Sequence, residues 1–89
     1  MARVQFTANL KRHVDCPSVE AAGRTVREVM DEVLPPGAPA RGYVLDEHGA
    51  LRTHMTIFVD GEAVRDRVKL SDAVGEDSEI YVMQALSGG

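Results

Sequence analysis

Residues 25–36 read TVREVMDEVLPP, and this stretch carries the main helix signal of the chain. Thr25 can accept hydrogen bonds from the first free amides of a helix, and Glu28, three residues on, can complete a capping box. Pro35-Pro36 ends the helix. Since a helix of about three turns is not stable by itself in water, its apolar stripe must pack against a sheet. The stripe follows helical spacing and consists of Val26, Val29, Met30, Val33 and Leu34.

Two strands are predicted before the helix. Residues 3–8 alternate between polar and apolar side chains, with Val4, Phe6 and Ala8 on the apolar side, which is the period of a half-buried strand. Residues 9–12 are predicted to form a hairpin connection, and 13–19 a returning strand. Because Pro17 has no amide hydrogen to donate, this second strand is expected at an edge of the sheet.

More strands are predicted after the helix. Residues 41–51 indicate a short turn or brief helix followed by an edge strand. Residues 55–59 are apolar enough on both sides to form a central or heavily covered strand. Asp60-Gly61 is the signal of a type I′ hairpin turn, after which 62–64 is expected to pair back. The last strand is predicted over 79–84.

Length and composition indicate one small domain. The chain has 89 residues, of which 44% are hydrophobic. One helix among several strands predicts the α+β class, with the helix packed across a mixed sheet. We expect this domain to span 1–84 and residues 85–89 to form a flexible tail. The sequence has no apolar run of roughly 18 residues and no signal-peptide pattern, so a cytoplasmic location is expected. A single cysteine agrees with a reducing compartment.

Charge and aromatic content narrow the class of partner. A net charge of -4 and a pI near 5.2 disfavour nucleic acid, since that interaction needs clustered Lys and Arg. Aromatic residues make up 4% of the chain and leave little surface for stacking on bases. No membrane partner is expected either. An acidic domain suits docking to a basic surface on another protein, although solubility alone explains the same charge.

The chain ends in Gly88-Gly89, shortly after the last predicted strand. Glycine loses more conformational freedom on ordering than any other residue, so paired glycines are a poor end for a fold. They place a carboxylate on a slim backbone that can enter a narrow pocket. Fully extended, residues 85–89 reach roughly 16 to 18 Å, enough to enter another protein's active site. A frayed terminus is the alternative interpretation.

Three segments, in this order, resemble the ThiS/MoaD family of ubiquitin-like sulfur carriers, which have a β-grasp fold. They are GRTVREV at 23–29, TIFVDGEAVR at 56–65 and IYVMQALSGG at 80–89. The resemblance covers nearly the whole chain. Within the family, TANLKRH at 7–13 and the long middle segment look more like the CysO branch, which is linked to cysteine synthesis.

The resemblance implies chemistry at the terminal carboxylate. In this family a ubiquitin-activating-type enzyme uses ATP to adenylate the last glycine, here Gly89, and a sulfur donor then displaces AMP to leave a thiocarboxylate. Gly88 lacks a Cβ that would clash in the enzyme's channel, while Ala85, Leu86 and Ser87 guide the approach. The carrier itself binds no cofactor and is not an enzyme. Its partners are the activating enzyme and a sulfur-accepting synthase.

A docking face is expected on the sheet. Phe58, Val64 or Met83 are candidates for an exposed apolar patch there, and single exposed apolar side chains without a role are the alternative.

Other candidate sites have weaker signals. Cys16 could accept a persulfide, although a lone cysteine beside a proline is more often a packing residue. His13 and Cys16 have a spacing seen at metal sites, but His48 and His54 are distant in sequence, so no metal site is expected.

Catalysis by the chain itself has little support in the sequence. The carboxylate pairs Asp46-Glu47 and Glu76-Asp77 could suggest acid/base chemistry, but neighbouring charges in turns are usually solvated. There is no phosphate-binding loop or serine nucleophile motif, and the chain is small for an enclosed active site.

Several roles stay open alongside the sulfur carrier. They are a protein modifier conjugated to lysine amines, the small sulfur-donating subunit of a molybdopterin synthase, and an interaction module without terminal chemistry. The sequence also leaves the final sulfur acceptor open among cysteine, thiamine, molybdopterin, a siderophore and a thiolated tRNA.

Overall fold

A computed structural model of the chain describes residues 1–6 and 18–84. Within these ranges it contains five strands and two helices. In chain order they are β1 (Ala2–Phe6), β2 (Ser18–Ala21), α1 (Val26–Val33), α2 (Arg41–Val44), β3 (Met55–Val59), β4 (Glu62–Ala63) and β5 (Glu79–Gln84).

The strands form one mixed sheet in the order β2-β1-β5-β3-β4. β1 runs parallel to β5, and the other pairs are antiparallel. The last strand described, β5, therefore lies in the centre of the sheet. Strands β3 and β5 have the predicted bounds, and the edge position of β2 is confirmed. β2 continues to Ala21, beyond the predicted end at residue 19, and the predicted strand residues 13–17 lie outside the described residues. The predicted hairpin connection at 9–12 lies outside the described residues.

The hairpin between β3 and β4 has the predicted turn. Asp60 and Gly61 both have positive φ, at 51° and 87°, as a type I′ turn requires. β4 pairs back through only two residues, Ala63 opposite Phe58 and Glu62 opposite Val59.

The predicted edge strand within residues 41–51 is wrong, while the brief helix there is confirmed as α2. Leu45 and Leu51 form a single bridge and no strand. The cause is Asp46, whose carboxylate accepts hydrogen bonds from the amides of Ala50 (3.0 Å) and His48 (2.8 Å). These bonds close residues 46–50 into a turn and hold the pKa of Asp46 below its usual range.

The N-terminus of α1 is fully capped. Thr25 Oγ1 accepts a hydrogen bond from the Glu28 amide (3.2 Å), as predicted. The reciprocal bond differs from a standard capping box, because Glu28 Oε1 accepts from the amide of Arg24 (2.7 Å), one residue earlier than expected. The amides of the first two helical residues also have acceptors in the 70–72 loop. Val26 donates to the carbonyl oxygen of Asp72 (3.0 Å), and Arg27 donates to that of Leu70 (2.8 Å). The loop thus substitutes for the missing preceding turn of helix.

One face of the sheet and the apolar stripe of α1 share the hydrophobic core. Val26, Val29 and Met30 are fully buried, Leu34 is nearly so, and Val33 packs at the margin. The helix is shorter than the predicted three turns, with eight residues. Burial of each such side chain contributes about 1.5 to 3 kcal/mol, which is how the sheet stabilises a helix of this length. The sheet contributes Val4, Ile57, Ile80 and Val82 to the same core.

Within the described ranges, no helix is long and apolar enough to cross a membrane.

Candidate functional site

Strand β5, which precedes the C-terminal residues, lies in the middle of the sheet. β5 is held on one side by β1 and on the other by β3, and its last residue, Gln84, is paired with Met55 at the start of β3. The last strand that the structure describes is therefore paired along both of its edges. The predicted terminal site lies outside the described residues, so the roles of Ala85, Leu86, Ser87, Gly88 and Gly89 stay predictions.

The sheet face opposite α1 carries an aromatic pair. Phe58 on β3 lies directly opposite Tyr81 on β5. Met83 lies two residues along β5 on the same face, opposite Thr56. All four side chains are half-buried. We call Phe58, Tyr81 and Met83 the outer patch.

The outer patch brings together two of the residues proposed for docking from the sequence, Phe58 and Met83, and their role in binding stays a prediction. Val64, the third candidate, is the exception: it is 8% exposed and belongs to the core, because its amide donates to the carbonyl of Ile57 and it faces the core beside that residue. Tyr81 was missed. The alternation of 79–84 could have identified it, since Ile80 and Val82 face the core and Tyr81 and Met83 must then face away.

Polar residues border the outer patch. Gln5 on β1 lies beside Tyr81 on the side away from Phe58. Further along the same face, Arg3 is placed between Glu20 on β2 and Glu79 on β5. An apolar centre with a polar margin is typical of a surface that binds another protein.

The carboxylates near the ends of the strands act as hydrogen-bond acceptors within turns. Asp60 accepts from the Glu79 amide (2.9 Å) and the Ser78 hydroxyl (2.8 Å). These bonds hold the pKa of Asp60 below its usual range. They tie the β3–β4 turn to the start of β5, which fixes the central strand in register.

Asp66 organises the loop that follows β4. It accepts from the Ser71 hydroxyl (2.5 Å) and from the amides of Lys69 (2.9 Å) and Val68 (3.2 Å). These donors, the hydroxyl first, lower the pKa of Asp66 to about 2. These donors hold the carboxylate in its ionised form, in which it stabilises the loop as a hydrogen-bond acceptor.

The two carboxylate pairs considered for acid/base chemistry, Asp46-Glu47 and Glu76-Asp77, lie in turns at the surface. Glu47, Glu76 and Asp77 are exposed, and Asp46 is engaged by its own turn. Of the histidines, His48 and His54 are exposed, and His48 Nε2 lies 3.7 Å from Glu47 Oε1. His13 and Cys16 lie outside the described residues. Within those that are described, no three His, Cys, Asp or Glu side chains group in a way that could hold a metal ion.

Comparison with solved structures decides the fold family. A chain in the Amycolatopsis orientalis BexX/CysO complex matches with a TM-score of 0.83 and 28% identity over 100% of both chains. The chain has the ubiquitin-like β-grasp fold. SAMP1 of Haloferax volcanii matches this β-grasp chain with a TM-score of 0.73 and 25% identity over 99% of this chain and 98% of that one. CysO of Mycobacterium tuberculosis gives 0.81 and 22% over 97% and 100%.

These neighbours are ThiS/MoaD-like ubiquitin-fold sulfur carriers and modifiers, which confirms the resemblance predicted from the sequence. The predicted fold class is confirmed with it. No protein-family model and no curated protein matches the sequence. The neighbours indicate that a β-grasp domain of this kind is a sulfur carrier or a protein modifier, and carriers such as CysO are small carrier proteins rather than enzymes.

Proposed function

We propose that this protein is a sulfur carrier that is charged at Gly89. The observation that supports this most strongly is the position of β5, the central strand, which ends at Gln84, five residues before Gly89. Five extended residues span roughly 16 to 18 Å. The body of the domain can therefore rest on a partner while Gly88-Gly89 enters the partner's active site.

The chemistry begins with an unreactive group. An α-carboxyl has a reference pKa of about 3.3 to 3.7, so at neutral pH it is an anion that resists nucleophilic attack. A ubiquitin-activating-type enzyme transfers AMP from ATP to the Gly89 carboxylate and releases pyrophosphate. Sulfide then attacks the acyl carbon, the bond to the AMP oxygen breaks, AMP and a proton leave, and a thiocarboxylate remains. With a persulfide donor the same attack gives an acyl disulfide, and a thiol must reduce its S–S bond to release the thiocarboxylate. ATP is consumed by this partner, and the carrier holds no cofactor.

The carrier contributes position and leaves catalysis to its partners. The proposed tail continues from strand β5, which both of its neighbours hold in register. Gly88 and Gly89 have no Cβ atoms to obstruct a narrow channel. The segment between β5 and the two glycines guides the entry of the tail into the channel, and it consists of Ala85, Leu86 and Ser87.

The outer patch is the proposed docking surface for the activating enzyme. Phe58 and Tyr81 form a cross-strand aromatic pair, and aromatic residues in protein interfaces often contribute most of the binding energy. The same β5 strand carries Tyr81, Met83 and the tail, so contact at this face also sets the orientation of the tail.

A cysteine-type pathway is the favoured destination of the sulfur. The support is the match to the CysO chain of the BexX/CysO complex, at 28% identity over both full lengths. A synthase that accepts sulfur from the thiocarboxylate is then the second partner. We place the carrier in the cytoplasm, where both enzymes and reduced sulfide are accessible.

Mass spectrometry tests the proposed function. The purified chain is incubated with the adenylating enzyme of its organism, ATP and sulfide. We expect a mass gain equal to the difference between a sulfur and an oxygen atom, on the peptide that contains Gly89. Gly89→Ala is expected to lose this gain while its circular dichroism spectrum stays unchanged. Equal conversion of wild type and variant would contradict a requirement for the bare glycine terminus.

A protein modifier is the second candidate function. It is favoured by the match to SAMP1 of Methanosarcina acetivorans, a small archaeal modifier protein that is 25% identical over 99% of this chain. In that role a lysine amine attacks the same acyl adenylate, releases AMP and forms an amide. Affinity-tagged protein expressed in its own organism would then carry amide-linked adducts that resist reducing agents, whereas a thiocarboxylate alone gives none.

A further inference from the structure

The outer patch is smaller than the surface that a stable protein complex uses. Such an interface covers about 800 Å² of each partner, which corresponds to a disc of about 16 Å radius. Phe58, Tyr81 and Met83 occupy only a small part of that disc, since successive positions on one face of a strand lie about 7 Å apart. A partner that covers the outer patch therefore also covers the next residues of the same sheet face.

Those next residues include a row of charged side chains that crosses the strands. Arg3 on β1 lies between Glu20 on β2 and Glu79 on β5. Asp60 continues the row at the turn after β3, where its amide donates to the carbonyl oxygen of Glu79 (2.8 Å). Glu79 lies about 7 Å from Tyr81 on the same face, and Glu20, two strands across from Glu79, lies about 12 Å from Tyr81. We define the acidic row as Glu20, Glu79 and Asp60.

The surroundings of the acidic row keep a negative charge after the nearby cations are counted. One cavity of about 350 Å³ is bordered by four carboxylates and two cations. The carboxylates are Glu20, Asp60, Asp77 and Glu79, and the cations are Arg3 and the Met1 ammonium. Two adjoining cavities, one sharing Met1 and the other Asp60 with the first, add three carboxylates and two cations, namely Glu62, Asp72, Glu76, Arg24 and Arg65. Seven carboxylates against four cations leave three negative charges in excess.

The carboxylates of Glu20 and Glu79 are available to a partner. Both side chains are exposed. Within residues 1–6 and 18–84, neither side chain accepts a hydrogen bond, and no ion pair within 4.0 Å includes them or Arg3. A partner that covers these carboxylates without a counter-charge removes water from two ionised groups, which is unfavourable. Arginine or lysine side chains opposite the row offset this cost and favour association.

We propose that the activating enzyme covers the outer patch and the acidic row together, and that it presents arginine or lysine side chains to that row. This inference rests on the proposed function. The row lies at the start of β5, about 17 Å from Gln84 at the end of the same strand. The cations of the enzyme are therefore expected opposite the start of β5, beside an apolar area that receives the outer patch.

Equilibrium binding tests this inference. The full chain is titrated onto the immobilised adenylating enzyme of its organism, without ATP, at low salt and at about 1 M salt, where the Debye length is about 3 Å. The variants Glu20→Gln and Glu79→Gln remove a charge and keep the shape of the side chain. At low salt each should bind about two- to fivefold more weakly than wild type, which is the effect of an exposed ion pair. At high salt the differences should disappear.

Glu47→Gln is the matched control. It removes the same charge, but Glu47 lies in the 46–50 turn, on the side of α1, where Arg27 donates to the Gly49 carbonyl oxygen. Its binding should stay within about 1.5-fold of wild type. Arg3→Gln tests the sign of the effect. Loss of this cation makes the row more negative, so binding at low salt should become about two- to threefold tighter.

Four results would overturn the inference while the proposed function stands. Three of them are wild-type binding by both glutamate variants, equal weakening by Glu47→Gln, which would show an effect of net charge alone, and weaker binding by Arg3→Gln. The fourth is a dimer of the free chain, measured by light scattering, that Tyr81→Ala dissociates, which would assign the outer face to a second copy. If the enzyme and the wild-type chain together support no exchange of pyrophosphate into ATP, the proposed function fails and the inference with it.

Discussion

Phe58 and Tyr81 lie directly opposite each other on β3 and β5, on the face of the sheet that α1 leaves uncovered. Paired side chains at such positions have Cβ atoms about 4.5 to 5.5 Å apart, so the two rings support each other. Neither ring is needed to fill the core, which is built by the opposite face. Removal of either ring should therefore weaken binding to a partner protein more than it destabilises the fold.

The first prediction concerns this pair. Tyr81→Ala should lower kcat/KM for adenylation by about tenfold, corresponding to a loss of about 1 to 2 kcal/mol of binding, while the midpoint of urea unfolding moves little. Val68→Ala is the control, because Val68 is 66% exposed on a loop outside the outer patch. If both variants are adenylated as well as wild type, the outer patch is not the docking face.

The second prediction concerns the helix cap. Thr25→Ala should destabilise the domain by about 1 kcal/mol, since the Glu28 amide loses its acceptor at Thr25 Oγ1. Thr25→Ser should keep most of the stability, because its hydroxyl can make the same bond. Urea unfolding followed by circular dichroism measures both. Equal losses for Ala and Ser would assign the effect to the methyl group of Thr25 and not to capping.

The third prediction concerns Arg27, whose guanidinium donates to the carbonyl oxygens of Gly49 and Lys69 and so joins α1 to two loops. A lysine keeps the charge but not the forked geometry. Arg27→Lys should therefore cost about 1 to 2 kcal/mol of unfolding free energy. Arg24→Lys, at an exposed position in the same segment, should cost almost nothing. Similar stability of the two variants would show that charge alone is sufficient at Arg27.

The fourth prediction is a pH dependence set by Asp66. Its folded-state pKa of about 2 is below the unfolded value of about 3.9, so the folded state favours the ionised form. The stabilisation is present above the unfolded pKa and is lost as pH falls from about 4 to about 2. The free energy of unfolding should fall over this window. The lowered pKa values of Asp46, Asp60 and Asp72 add losses of the same sign.

Asp66→Asn isolates this contribution. The variant should be less stable than wild type at pH 7, and the difference should shrink by pH 2. Asp77→Asn is the control, because Asp77 is exposed and makes no hydrogen bond among the described residues. A stability difference for Asp66→Asn that stays constant from pH 7 to pH 2 would contradict a role for the charge.

Short-range patterns predicted much of this fold. The alternation in 55–59 and in 79–84 reflects which side chains face the core, and β3 and β5 have the bounds predicted from it. The turn at Asp60-Gly61 depends only on backbone sterics. In contrast, the edge strand expected before residue 51 failed, because the Asp46 carboxylate bonds its own turn, and such bonds compete with strand pairing.

The candidate site was less accessible from sequence. Phe58 and Met83 could be proposed from their apolar character, and the alternation in 79–84 would have placed Tyr81 on the same face. That Tyr81 lies directly opposite Phe58 follows only from the register of β3 and β5. Val64 was placed on the wrong face, because only the register of β3 and β4 shows that Ala63 lies opposite Phe58 and that Val64, whose amide donates to the carbonyl of Ile57, faces the core with Ile57.

The central place of β5 has a consequence for biosynthesis. Arg3 pairs with Glu79, 76 positions later, so β1 gains its parallel neighbour only after the chain has been synthesised through β5. β5 lies between β1 and β3 in the sheet. Until β5 has been made, the β3–β4 hairpin therefore has no strand through which to pair with β1, and the five-stranded sheet cannot form. An activating enzyme that recognises the finished sheet would therefore reject chains truncated before β5.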